Sequence, residues 1–249
     1  MGRYTSSITK FVELIIDVQD SNRDALVIIS GDTGEGKSVF NWWLLREHAK
    51  KRELVFNPVR QLIYDREDFN FSIDEVPVNS GIGADEAVGL FYSRDYHDEE
   101  QIVVLKKLDR IRYRRLLLTL LIPNMFHIDS HIRNSRVRYW VHIDSRKGTG
   151  SDGYAHAYIF EKERNPFNPD PWNLSFNRKL FTKGKIDKSP NYLGEIIFKD
   201  IPQVEYELYE EIKDLKRKIA ESKEWRKAVD KKRRYGGSTG ERNDPRLKA

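Results

Sequence analysis

The segment Gly31-Asp32-Thr33-Gly34-Glu35-Gly36-Lys37-Ser38 has the complete spacing G-x-x-x-x-G-K-S. Glycines at these positions let the backbone curl so that its N–H groups face an anion. The lysine then reaches the β- and γ-phosphates, and the serine hydroxyl serves Mg²⁺. The expected nucleotide-binding set is Gly31, Asp32, Thr33, Gly34, Glu35, Gly36, Lys37, Ser38 and the next residue, Val39, with ATP and Mg²⁺ as the implied ligands.

Binding alone is not hydrolysis, which also needs an acid near the metal and a group that orients water. Two Asp-Glu pairs compete for that role, Asp74-Glu75 and Asp85-Glu86. The first follows the better apolar run. The second follows Gly81-Ile82-Gly83-Ala84, whose small residues suit tight packing beside the P-loop strand, and it is preferred. Either pair could also be a solvated loop. Trp42 and Trp43 read as helix-to-sheet packing rather than a base-stacking platform. His127 and His131 have helical metal-ligand spacing, but no third ligand is evident, so a polar loop is the better reading.

These residues need elements to hold them. Residues 8–20 carry a helical apolar face. Ala25 to Ser30 is a continuous run rich in branched residues, as in a buried strand of a parallel sheet. The Gly-rich loop comes next, and Ser38 to Lys51 reads as a helix. Glu53 to Phe56 is expected as a second strand closed by Pro58, Ile82 to Ala84 as a short one, and residues 99–115 as an amphipathic helix. Leu116 to Ile122 is a strongly apolar strand ended by Pro123, and Val137 to Ile143 is another. Strand alternating with helix is the doubly wound α/β pattern. Tyr154 to Lys162 reads as an antiparallel return, and Val204 to Tyr235 as a long helix. The expected division is an N-terminal helix (1–24), an ATPase domain (25–200), a basic helix (201–235) and a disordered tail (236–249).

Charge is uneven along the chain. From Lys213 to Ala249 there are 14 Lys/Arg and 6 Asp/Glu, a net +8 within a chain total of +5, so the remainder carries −3. The dense run Lys231-Lys232-Arg233-Arg234 suits either a solvated helix or contact with phosphate. The chain has no cysteine, which excludes disulfides and thiolate metal sites and fits a reducing compartment. No apolar run approaches the roughly 18 residues of a membrane span, and no signal-peptide layout is present. A cytoplasmic location is expected, that of the host if the chain is viral.

Asp85-Glu86-Ala87, Arg94-Asp95, Leu108 to Arg112, the apolar strand ending in Pro123, Ile128-Asp129 and Ile132-Arg133 together resemble the FtsK/HerA-related P-loop ATPases. The resemblance covers roughly residues 20–145. It is nearest to the small Zot-like and packaging-type members carried by viruses, phages and plasmids. It implies an α/β, RecA-like (ASCE) P-loop NTPase with a central mostly parallel sheet and a C-terminal helical extension. In that sheet the P-loop strand adjoins the 116–122 strand, with the 82–84 strand beyond. Asp85 would then act on Mg²⁺ together with Ser38, and Glu86 would polarise the attacking water. Arg133 would complete a neighbouring subunit's site, with Arg94, Arg112 and Arg136 as rivals. Relatives often carry a polar sensor at the end of the fourth strand, where this chain offers only Thr119 or Asn124. The implied function is a Mg²⁺-dependent ATPase that forms a homo-oligomeric ring, a hexamer by expectation, and moves or packages double-stranded DNA. Alternatives are an AAA+-like initiator or loader and a Zot-like nucleotide-gated assembly or secretion protein.

Overall fold

The computed structural model describes residues 7–85, 107–144, 154–163, 165 and 168–236. Its centre is a mixed α/β arrangement around one seven-stranded, mostly parallel sheet of order β2-β3-β4-β1-β5-β6-β7. The strands are β1 (Ala25–Ser30), β2 (Leu62–Ile63), β3 (Gly81–Ala84), β4 (Leu117–Ile122), β5 (Val137–Asp144), β6 (Tyr154–Glu161) and β7 (Tyr192–Lys199). The first five are mutually parallel, β6 runs antiparallel to β5, and β7 runs antiparallel to β6 and so returns to the common direction. Strand β4 lies between β1 and β3, the order that the resemblance implies.

The helices are α1 (Ile8–Asp20), α2 (Lys37–Lys51), α3 (Pro58–Gln61), α4 (Arg66–Glu75), α5 (described over residues 107–113), α6 (Ser130–Ser135), α7 (Leu174–Thr182) and α8 (Gln203–Gly236). Because side chains of a strand alternate between faces, β1 feeds two cores. Ala25, Val27 and Ile29 meet α1 and α2, while Leu26 and Ile28 meet α4, α5 and α6. All of β1 and β4 is buried, which accounts for their unbroken apolar runs. The N-terminal helix is part of this packing, with Phe11, Val12 and Ile15 fully buried.

One expected strand is absent. Glu53 to Phe56 forms the exit from α2: Glu53 takes a left-handed φ of 54° and Leu54 N–H donates back to Ala49 O. Val55 is left exposed, and Pro58 opens α3 instead of closing a strand. The neighbour of β3 is instead the two-residue β2. Trp42 packs edge-on against Phe56 and Tyr209, and Trp43 donates to Lys199 O, so both serve packing.

Candidate functional site

The P-loop leaves β1 at Gly31 and enters α2 at Lys37. Gly36 caps α2 in the left-handed region at φ 91°, and Gly34 lies there at 87°. A side chain at either position would be strained, so glycine is what allows this turn. The first N–H groups of α2 lack intrahelical partners, and the helix presents its positive end at the loop.

In this state the loop is closed on its own groups. Lys37 Nζ donates to Gly31 O and Asp32 O, both at 2.8 Å. Burial holds the Lys37 ammonium below its ordinary range, opposed by Asp85, Glu35 and Asp32. Glu35 Oε2 accepts the Asp32 N–H at 2.7 Å. A carboxylate therefore sits on an amide of the cradle, where an anion would be received.

Strand β3 delivers Asp85 to the same place. Its N–H donates to Ile63 O of β2 at 2.9 Å, fixing the backbone beyond the strand end. Its Oδ2 accepts from Ser38 Oγ at 3.3 Å and from Tyr209 OH at 2.7 Å. The Ser38 contact brings a hydroxyl and a carboxylate, both hard oxygen donors, to one point beside the loop. The small residues of β3 make this approach possible. A Cβ on Gly83 would stand 2.4 Å from Asn41 Nδ2 of α2 and 2.9 Å from Thr119 Oγ1 of β4.

Nothing in the sequence singles out Tyr209. It is carried by α8, whose inward face is tied down at three levels. Trp42 Nε1 donates to Glu205 Oε2 at 2.7 Å, Tyr209 reaches Asp85, and Lys216 Nζ donates to Asp68 Oδ2 at 2.7 Å. Burial, with Asp85 and Tyr64 adding to it, pushes the Tyr209 phenol far above its ordinary range. It keeps its proton and can act as a donor to the carboxylate. Of the apolar positions that the sequence spaces along one side of this helix, Ile212 is buried whereas Val204, Leu208, Leu215 and Ile219 are exposed, and Tyr209 is not among them.

The other described residues expected at the site are dispersed. Glu86 and Arg94 lie outside the described residues. Asp74 is remote from the loop, paired with Lys107 at 3.2 Å and Arg110 at 2.7 Å. Arg133 sits on α6 with its guanidinium over the Phe126 ring at 5.2 Å. Burial lowers its pKa against the pull of Asp129 and Asp170. Arg136 binds Asp24 at 3.1 Å, just ahead of the start of β1 and at the opposite edge of the sheet from the P-loop. Thr119 is fully buried and donates to Asn41 Oδ1 at 2.6 Å. Asn124 caps a short turn by accepting from Phe126 N–H. Among the described residues no cluster of three metal-ligating side chains occurs. No helix there is long and apolar enough to cross a membrane.

No protein-family model matches the chain, and no curated protein matches it in sequence. Among solved structures, it is similar to the N-terminal domain of zonular occludens toxin from Neisseria meningitidis. The identity is 12%, covering 73% of this chain and 97% of that domain, with a TM-score of 0.43. So distant a likeness carries no functional weight, and the chain's own geometry has to supply it.

Proposed function

We propose that this chain is a RecA-like, ASCE-type P-loop ATPase of the FtsK/HerA kind, binding Mg²⁺–ATP at residues 31–39 and hydrolysing it. The observation that carries the reading is the meeting of Ser38 and Asp85 at 3.3 Å across the top of the sheet, with β4 between their strands. Two sequence-distant groups of the right chemistry converge beside a complete phosphate loop, which a chance Gly-rich turn would not produce.

The residues present fit the absent groups. The loop amides and Lys37 would receive the triphosphate, and Ser38 and Asp85 would hold Mg²⁺. Bound there, the metal neutralises charge on the phosphate oxygens. Lys37 is half-buried and donates to neutral loop carbonyls, so exchanging them for charged phosphate oxygens is favourable. Glu86, one residue beyond Asp85, is assigned as the base that orients water, and Arg133 as the arginine supplied to a neighbouring copy. In this reading the working form is a homo-oligomeric ring acting on double-stranded DNA.

The test is nucleotide binding and ATPase activity of the wild type, Lys37→Ala, Asp85→Asn and Glu86→Gln, with native mass measurement and with or without duplex DNA. Lys37→Ala should abolish binding. Asp85→Asn should lose Mg²⁺ dependence, and Glu86→Gln should bind but not hydrolyse. A wild-type chain that binds no nucleotide refutes the reading. Turnover that ignores DNA in a chain that stays monomeric refutes the motor.

A further inference from the structure

The amino-terminal edge of the sheet, opposite the P-loop, carries a cationic surface with no role in the nucleotide site. A cleft of about 210 Å³ opens there between the start of β1 and the start of β5. Its charged lining is Arg23, Arg112, Arg136, Arg138 and Lys162, with Asp24 as the only acid. A second cleft of about 630 Å³ shares Arg112 and adds Arg115, Tyr113 and one acid, Asp109. Tyr113 is 89% exposed.

The charges do not cancel. Arg136 is held by Asp24 and Asp109, and Arg138 by Glu161 at 2.7 Å. Lys162 donates only to the backbone carbonyls of Asn134 and Ser135, at 3.1 and 3.0 Å. Burial and the nearby Arg138 hold its ammonium below the ordinary lysine range. Arg23 and Arg112 are exposed, and among the described residues neither has a carboxylate partner. The buried Nε–H groups of Arg136 and Arg138 also lack an acceptor. The cations thus outnumber the acids beside them, the excess charges repel one another, and a bound anion relieves that repulsion.

We propose that this edge binds the phosphodiester backbone of a nucleic acid. The smaller cleft matches a single phosphate group rather than a whole nucleoside triphosphate. Guanidinium forks suit phosphate oxygens. The exposed Tyr113 ring beside Arg112 supplies a flat surface on which an adjacent base can stack. An acidic peptide would meet the same cations but would have no use for an isolated, outward-facing ring. The surface deepens the DNA-acting part of the proposed function, yet it stands on residues that the nucleotide site does not use.

The experiment is fluorescence anisotropy with labelled 20-nucleotide single-stranded and 20-base-pair duplex DNA across a salt series. The full chain is compared with Arg23→Glu/Arg112→Glu, with the milder Arg23→Ala/Arg112→Ala, with Tyr113→Ala, and with a tail variant in which residues 231–234 become glutamate. Loss of two phosphate contacts should weaken binding by the charge-reversed variant at least about tenfold and lower its salt slope by about two. Tyr113→Ala should lose several-fold on single strands only. The cleft variants should melt like the wild type and still bind nucleotide. The proposal is overturned if the cleft variants bind DNA as the wild type does, whether or not the tail variant fails. It is equally overturned if the wild type binds phosphatidylserine vesicles but no DNA, or neither. A wild type that binds DNA at this edge but no nucleotide would refute the ATPase reading and leave this surface standing.

Discussion

Gly83→Ala adds one methyl group at the point where α2 crosses the sheet. Its Cβ would lie 2.4 Å from Asn41 Nδ2, 3.1 Å from Asn41 Cγ and 2.9 Å from Thr119 Oγ1. None of these atoms is the free end of a flexible chain, because Asn41 and Thr119 are buried and joined by a 2.6 Å hydrogen bond. Either that bond breaks or α2 lifts from β3. Overpacking costs about 1–3 kcal/mol, and stranding a buried polar group costs about 1–3 more. Alanine returns about 0.4–1 through the unfolded chain, so the net loss is about 1–5.5 kcal/mol. Gly81→Ala is the control: its Cβ would meet Leu45 Cδ2, a side-chain tip, at 2.7 Å and would strand no polar group, so a smaller loss of about 0–2.5 kcal/mol is expected. Urea unfolding monitored by the fluorescence of the five tryptophans reads both. Removing the obstacle with Asn41→Ala in the Gly83→Ala background should give less loss than the two single changes added together. Because α2 begins at Lys37 and Ser38, Gly83→Ala should also weaken Mg²⁺–nucleotide binding. Equal stability of the two glycine variants, with unchanged binding, would refute the claim that small residues in β3 exist to admit α2.

Single contacts set three further outcomes. Glu35→Gln removes the negative charge and leaves only a weaker, neutral amide oxygen to accept from the Asp32 N–H, so nucleotide affinity should rise several-fold in equilibrium titration; unchanged or weaker affinity would deny that the Glu35 charge competes with phosphate. Tyr209→Phe deletes one hydrogen bond to the Asp85 carboxylate, and the Mg²⁺ concentration for half-saturation should rise about three- to tenfold, while binding in EDTA stays the same. His48 is buried against Gln19, and burial, with Arg52 adding to it, pushes its pKa down to about 3 from 6.5. The unfolded chain therefore takes up the proton first, so stability present above pH 6.5 is lost on acidification, by about 2 kcal/mol at pH 5. His48→Gln should lack that part of the slope in denaturant melts between pH 7 and 5.

The loop at 31–38 is legible because its chemistry is local: eight consecutive residues fix the turn, the lysine and the serine. Asp85 is legible at one remove, through the small side chains before it, and the contact between Gly83 and Asn41 shows why those had to be small. Asp74 has the stronger apolar run, yet that run is the buried face of α4, with Phe69, Ser72 and Ile73 inside. Periodicity alone does not separate a short helix from a strand. The strand expected at Glu53 to Phe56 fails for a related reason, since propensity cannot report that a helix cap has taken those residues. Tyr209 is out of reach altogether. Its partner is 124 residues away, and a tyrosine in a mostly charged helix has no spacing that points to a carboxylate.

The same tyrosine turns α8 into a lever with its short arm in the site. From the tie at Lys216 to the end of the helix at Gly236 the rise per residue gives a long arm of about 30 Å. A tilt of about 5° about that tie would carry the far end by about 2.6 Å, given that length. A displacement at the carboxylate too small to resolve directly would thus be readable as a change in distance between a probe near residue 235 and one on the body of the sheet.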